Sequence, residues 1–482
     1  MKHNSQQPAL YQVSLPLIST IILLGCNMYF FGSRASHGPN QVALLLGAAF
    51  SLLLNRNRGI TWEKIRLALV RNIQPILPTF TFLLIVAAMS ATWLLSGVIP
   101  AIIYYGLYLL RPRLFLVTAL LFCALVSVAT GSSWATIATI GVAMLGLGKT
   151  LGWSDGTIGG AIISGAYFGD KLSPLSETTV MASSVTDTNI YHHIQRMMKT
   201  SIPTLLLVVL IFWLIGATQG KQVTGQLAQN TEISDYLMSH FNITPWLFLV
   251  PGIVLILILA GVSPLITLTV GALSGLLCIV WFRPPASIVW IGSNHLISTH
   301  ACQQLARFIC LGGRLESGSN HLLADLMSSD GVMGMLPTIT LMITAILLGG
   351  ALEATDSITT LASRFLRAKT YSSLITYTTL TGIFLNLTVA DQYLAILLGG
   401  KIYTPIFKEN QIPSAYLSST LEDAITVTSP LIPWNTCGAA QAAVLGIATL
   451  SYLPFSFFNI LTPLVGIIVG HYTDRPMKLR NP

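Results

Sequence analysis

The chain repeatedly runs through apolar stretches of about the length needed to cross a bilayer. They cover 13–31, 76–95, 114–129, 204–217, 246–261, 265–281, 339–352 and 453–470. Roughly 20 apolar residues in helical form cross ~30 Å of hydrocarbon, and only helices or closed barrels satisfy their backbone there. A barrel would show short alternating strands, which this sequence lacks. Only 9% of the 482 residues are charged, against about 25% in soluble domains. The reading is an all-α polytopic membrane protein of roughly 10–12 spans. Several apolar runs are short, which predicts tilted, broken or protein-buried helices. The first run is too long for a cleaved leader and reads as a retained helix.

Basic residues gather beside the apolar runs: Arg56, Arg58, Lys64, Arg66 and Arg71; Arg196 and Lys199; Arg364, Arg367 and Lys369; Arg475, Lys478 and Arg480. The positive-inside rule assigns these segments, and both termini, to the cytoplasm. The polar stretch 217–244, with Lys221, Glu232 and Asp235, reads as an external loop. The stretch 283–330 reads as surface with short amphipathic helices. No basic stripe interleaved with aromatics suggests nucleic acid. The six cysteines form no CxxC, so a transition-metal or disulfide framework is not expected.

Two halves are expected, one over 60–216 and one over 330–470, with connecting spans and loops over 217–329. Both carry Ser-Pro-Leu in an acid-bearing interruption of apolar sequence: "KLSPLSETT" (171–179) and "VTSPLIPWNT" (427–436). Transporters built from inverted repeats place broken helices at the midplane. Pro174, Pro430 and Pro433 break helices and free carbonyls, and nearby hydroxyls can bond those carbonyls or a cation.

Six of the seventeen acids fall in strongly apolar context: Asp170, Glu177, Glu353, Asp391, Glu422 and Asp423. A central Asp costs roughly 2.5–3.5 kcal/mol on the insertion scale, so each needs a partner, a cation or a proton. Asp170 and Asp391 are the first choice for the exchanging carboxylates, with Glu422 and Asp423 next. Ser173, Thr178, Thr428, Ser429, Asn435 and Thr436 are the expected neutral ligands, and Lys171 a counter-ion. Simpler roles compete. Lys171 can pair with its neighbour Asp170, Glu177 can cap a helix, and Glu353 can sit at a solvated helix end. Glu422 and Asp423 can lie at a helix N-terminus capped by Ser418, Ser419 or Thr420. His192 and His193 read as a solvated face. The glycine-rich runs read as helix-packing faces.

"GSSWATIATIGVAMLG" (131–146), "GAIISGAYFGDKLSPLSETT" (160–179), "ADQYLAILLGGKIY" (390–403) and "LSSTLEDAITVTSPLIPWNTCGA" (417–439) together resemble the NhaC-type sodium/proton antiporter family. That resemblance implies two inverted repeats with broken helices and re-entrant hairpins in a bacterial cytoplasmic membrane. It implies exchange of Na+ or Li+ for H+ without a cofactor, in contact with lipid and with a homodimer open. The family also includes a sodium-linked malate/lactate exchanger, the alternative function. The chain departs from it at Glu177, Val180 and Ala390, the last standing where Gly or Ser is common. An enzyme is not expected. "YFGD" lacks the first glycine of the intramembrane aspartyl-protease signature, and neither HExxH nor GxSxG occurs.

Overall fold

The computed structural model describes residues 8–109, 111–223, 227–291, 298–314, 326–357, 360 and 371–472. The basic clusters at 364–369 and 475–480 lie outside the described residues. Among the described residues the fold is helical apart from one two-residue strand pair, Gly313–Arg314 with Ser328–Ser329. Among the described residues six helices are long and apolar enough to cross a membrane, or eight if two bent pairs each count as one span. That is fewer than the 10–12 read from the sequence. Several helices near the site fall short because Ser, Thr, Gly and Asn dilute them, and they pack with longer apolar helices.

Those helices form two matching sets. In the first, Phe115–Thr130 enters and Val142–Thr150 returns. Phe115 packs against Gly148, so the arms are antiparallel and the tip is Gly131–Ser133. The broken helix Asp155–Leu172 and Glu177–Val185 follows, then the helix Ile190–Val223. In the second set, Tyr371–Val389 and Gln392–Glu409 form the hairpin. The Thr381 and Tyr403 hydroxyls bond across its arms at 2.7 Å, and Ala390–Asp391 is the tip. A second broken helix runs from Ser414–Leu421 through a π-helical turn, Glu422–Thr426, to Thr436–Leu445. Phe457–Tyr472 closes the set.

The sets run in opposite directions. The first broken helix starts beside the open end of the first hairpin, where Gly148 meets Ile158, and ends beside the open end of the second, where Asp187 pairs with Lys408 at 3.6 Å. The second broken helix starts beside Asp187, through Ser414 Oγ, and ends where Ile447 and Tyr452 meet Gly159. Hairpins therefore enter from opposite faces, as inverted repeats require.

Glycines set the spacing of the first set. A Cβ on Gly165 would stand 2.1 Å from the Leu120 carbonyl oxygen, and one on Gly169 would stand 2.4 Å from that of Ala124. The expected packing face is therefore real. Ile190–Val223, 34 residues long, is roughly 50 Å at 1.5 Å per residue. It separates Arg196 and Lys199 from 217–223 at its two ends. The stretch 217–244 is largely helical rather than a loop, because Ile190–Val223 extends into it and Leu227–His240 follows. Ile233, Leu237 and Phe241 anchor that helix in an apolar cluster. Pro285–Ile291 and Thr299–Leu311 supply the expected short helices after 283. Glu353 ends the helix Leu336–Ala354 and pairs with Arg71 at 2.8 Å.

The tip at Ala390 was not legible as a break. Ala390 has φ +59°, where a Cβ costs roughly 1–2 kcal/mol. Ala390→Gly should raise stability by about 0.5–1 kcal/mol, the unfolded-state entropy of glycine offsetting part of the gain. Thermal unfolding in detergent measures it, and a lower melting temperature would contradict the strain.

Candidate site where hairpin tips meet broken helices

Each tip docks on the break of its own set. In the first, Ser133 Oγ donates to Asp170 Oδ2 at 2.6 Å. In the second, Thr436 Oγ1 donates to Asp391 Oδ2 at 2.9 Å, and Thr436 N–H donates to the Ala390 carbonyl at 2.8 Å. Asp391 also caps the helix Gln392–Glu409, its Oδ1 accepting from Leu394 N–H at 2.9 Å. The acid stands on the broken helix in one set and on the tip in the other. No hydrogen bond joins Asp170 to Asp391 among the described residues.

The breaks fall where the prolines put them. Residues 173–176 are non-helical around Pro174, and the second break surrounds Pro430 and Pro433. Thr179 Oγ1 donates to the Lys171 carbonyl at 3.1 Å. At the second break, Ser429 Oγ bonds Thr426 O at 2.7 Å, Asn386 Nδ2 bonds Ile425 O at 2.6 Å, Asn459 Nδ2 bonds Val427 O at 2.8 Å and Tyr452 OH bonds Pro430 O at 2.7 Å. Buried backbone needs such partners where water is absent. Thr428, Ser429, Asn435 and Thr436 thus form one cluster with Asn386, Asp391 and Gln392. Ser173 and Thr178 lie in the other, near Asp170.

The two sets meet at a buried group of charges. Lys171 Nζ bonds Asp423 Oδ1, and both side chains are buried. Lys171 therefore pairs across the two halves and not with its neighbour Asp170. Thr200 Oγ1 supports Asp423 from the long helix at 3.3 Å. Glu422 and Asp423 stand within a continuous helical run, not at its N-terminus, because Ser414–Leu421 passes straight into the π turn. Such turns recur at functional sites.

Glu422 is fully buried and neither carboxyl oxygen has a hydrogen-bond partner. The Thr426 and Thr178 hydroxyls lie close enough to turn onto it, although neither meets it at normal hydrogen-bond geometry, and Asp170 and Lys171 are within electrostatic reach. The Thr426 hydroxyl is also unpartnered. A buried carboxylate without a partner is strongly disfavoured unless it takes a proton or a cation. Asp170, Glu422 and Asp423 are three acids gathered around Lys171, with Arg196 within electrostatic reach of Asp423, so negative charge is in excess if all three ionise.

Asp170 opens onto a cavity of about 400 Å³. Glu177, Thr178, Thr130, Trp134, Gln392 and Tyr393 share its wall, and among the described residues no Lys, Arg or His lines it. Tyr393 OH donates to Glu177 at 2.8 Å, joining the second hairpin tip to the first break.

The sequence did not single out Ser133, Thr200 or Tyr393. Ser and Thr are common in such helices, and nothing local marks the few that reach a carboxylate. The sequence places His193 on a solvated face. It is buried, with Nδ1 2.8 Å from Ser418 Oγ and Nε2 unpartnered. His192 stays exposed beside it.

Comparison with known proteins places the chain in a family. The model of the Na+/H+ antiporter family matches residues 165–472, which contain both breaks, the second tip and the charged group. The chain belongs to the Na+/H+ antiporter family. A relative from Alkalihalophilus pseudofirmus, named Na+/H+ antiporter NhaC, is 32% identical over 94% of this chain and 95% of its own. The malate-2H+/Na+-lactate antiporter of Bacillus subtilis is 32% identical, covering 90% and 89%. The arginine/ornithine antiporter ArcD of Halobacterium salinarum is 31% identical, covering 99% and 94%. Members of this family are transporters, so the chain is not read as an enzyme.

Proposed function

We propose that the protein exchanges Na+, and Li+ in its place, for H+ across the bacterial cytoplasmic membrane, with both termini inside. The observation that carries this is Glu422, a buried carboxyl with both oxygens open, set between Asp170 and the Lys171–Asp423 pair. A desolvated carboxyl holds a proton near neutral pH. Na+, a hard cation, prefers oxygen ligands, and Asp170, Glu422, Thr178 and Thr426 offer them within one small region. Proton and Na+ thus compete for the same oxygens. Exchange follows if only an occupied site reorients, because an empty one would carry unpaired charge through hydrocarbon.

Asp391 and its cluster of Asn386, Thr428, Ser429, Asn435 and Thr436 hold the second tip. They offer oxygen to an ion leaving or approaching the charged group.

The organic-anion reading needs Arg, Lys or a helix N-terminus at the substrate carboxylate. Lys171 is engaged by Asp423, and the cavity beside Asp170 has no basic wall. Both observations favour a cation as cargo.

Asp170→Asn should remove exchange by at least ~100-fold, the equivalent of about 2.7 kcal/mol, with expression unchanged. Fluorescence dequenching in everted vesicles on adding Na+ or Li+ reports it. Persistent exchange in this variant would move the site elsewhere. Sodium-driven proton flux in proteoliposomes without any carboxylate would exclude obligate anion exchange.

A further inference from the structure

The cavity beside Asp170 is much larger than a sodium ion requires. Its volume of about 400 Å³ falls in the ~300–1,000 Å³ range of small-molecule sites. Its two carboxylates, Asp170 and Glu177, face no basic side chain in the wall. Trp134 and Phe82 form an aromatic side, packed edge to face with ring centroids 5.7 Å apart. Tyr393 adds a third ring, its hydroxyl spent on Glu177. Trp134 keeps an indole N–H with no hydrogen-bond partner. Aromatic faces next to carboxylates recognise organic cations: the carboxylate supplies charge, and the ring quadrupole adds attraction that a small, strongly hydrated ion uses less well.

We propose that this cavity binds an organic ammonium ion of about amino-acid size. Its charged head lies between Asp170 and Glu177, and its body lies against Trp134 and Phe82. The proposal rests on the cation-exchange reading, because Asp170 belongs to both sites. Na+ and the organic cation therefore compete, and the organic ion enters the same cycle in place of Na+.

The test uses benzyltrimethylammonium, whose fixed charge prevents it from crossing as a neutral base, with malate as the anionic control. Proteoliposomes of the whole protein report Na+-driven proton exchange. Benzyltrimethylammonium is expected to raise the KM for Na+ at least threefold at millimolar concentration without lowering kcat, and malate is not. In Trp134→Leu, the ratio of its inhibition constant to the KM for Na+ should rise at least fivefold.

Absence of competition in the wild type overturns the proposal and leaves Na+/H+ exchange standing. Equal competition by malate, or an unchanged ratio in Trp134→Leu, overturns it too. If Trp134→Leu does not fold, Trp134→Phe replaces it, with at least a twofold rise expected and an unchanged ratio counting against the site. If the wild type shows no Na+ exchange, the exchange reading fails. Calorimetric titration of the detergent-solubilised protein with benzyltrimethylammonium then decides the cavity separately: saturable heat upholds the site, and none removes it.

Discussion

Glu422→Gln is expected to abolish Na+-driven proton exchange while the protein folds as before. The side chain is nearly isosteric, so packing is kept. What disappears is the ability to lose a proton and present negative charge to Na+. Without a group that can trade a proton for Na+ the cycle stops, so exchange should fall at least ~100-fold, the equivalent of about 2.7 kcal/mol. The stability result separates this from a structural role. In the wild type both oxygens of Glu422 lack partners in a fully buried position. Glu422→Leu removes that unmet polar group and should stabilise the protein by about 1–3 kcal/mol. Such a gain on losing activity is what a strained functional site yields. Thermal unfolding and dequenching on the same two variants check both halves. A Glu422→Gln protein that exchanges normally, or a Glu422→Leu protein that is clearly less stable, contradicts the assignment.

The second large effect concerns Lys171 and Asp423. Lys171→Met leaves Asp423 as an uncompensated buried carboxylate, and Asp423→Leu leaves a buried ammonium. Losing one partner of a buried pair costs about 3–5 kcal/mol, whereas replacing both with apolar residues of similar volume is often neutral or stabilising. Each single variant should therefore express poorly and melt early. The double variant, Lys171→Met with Asp423→Leu, should recover most of that stability. It should not recover transport, because the group that balances Glu422 and Asp170 has changed. If both singles melt with the wild type, the pair is not holding the two halves together.

These two effects divide the sequence reading in an instructive way. Asp170, Glu422 and Asp423 stood out because ionisable groups amid hydrocarbon are costly anywhere in the chain. Pro174 and Pro430 marked their breaks because proline acts on its own turn and the residue before it. The rule "Ser, Thr or Asp before an apolar run caps a helix" failed at Glu422 and Asp423, where the helix continues into a wider turn. Asp391, read only as an exchanging carboxylate, does cap a helix, where the chain break came from Ala390. Alanine is the best helix former, so nothing in "TVADQ" announces a residue at φ +59°. The capping there depends on Thr436, which reaches Ala390 and Asp391 from the other arm of the set. His193 was misread for the same reason. Its neighbours Tyr191 and His192 are exposed, and only the packing of Ser418 against it shows that it is buried.

The sequence by itself determined that this chain lives in a membrane, where prolines break its helices and which acids carry excess cost. Hydropathy, proline geometry and the insertion cost of charge all act within a few residues. Only the tertiary structure decided which acids meet. Lys171 and Asp423 lie 252 residues apart, and Ser133 and Asp170 lie on different helices. Pairing at that range is fixed by how two oppositely directed sets of helices pack. No local rule contains that information.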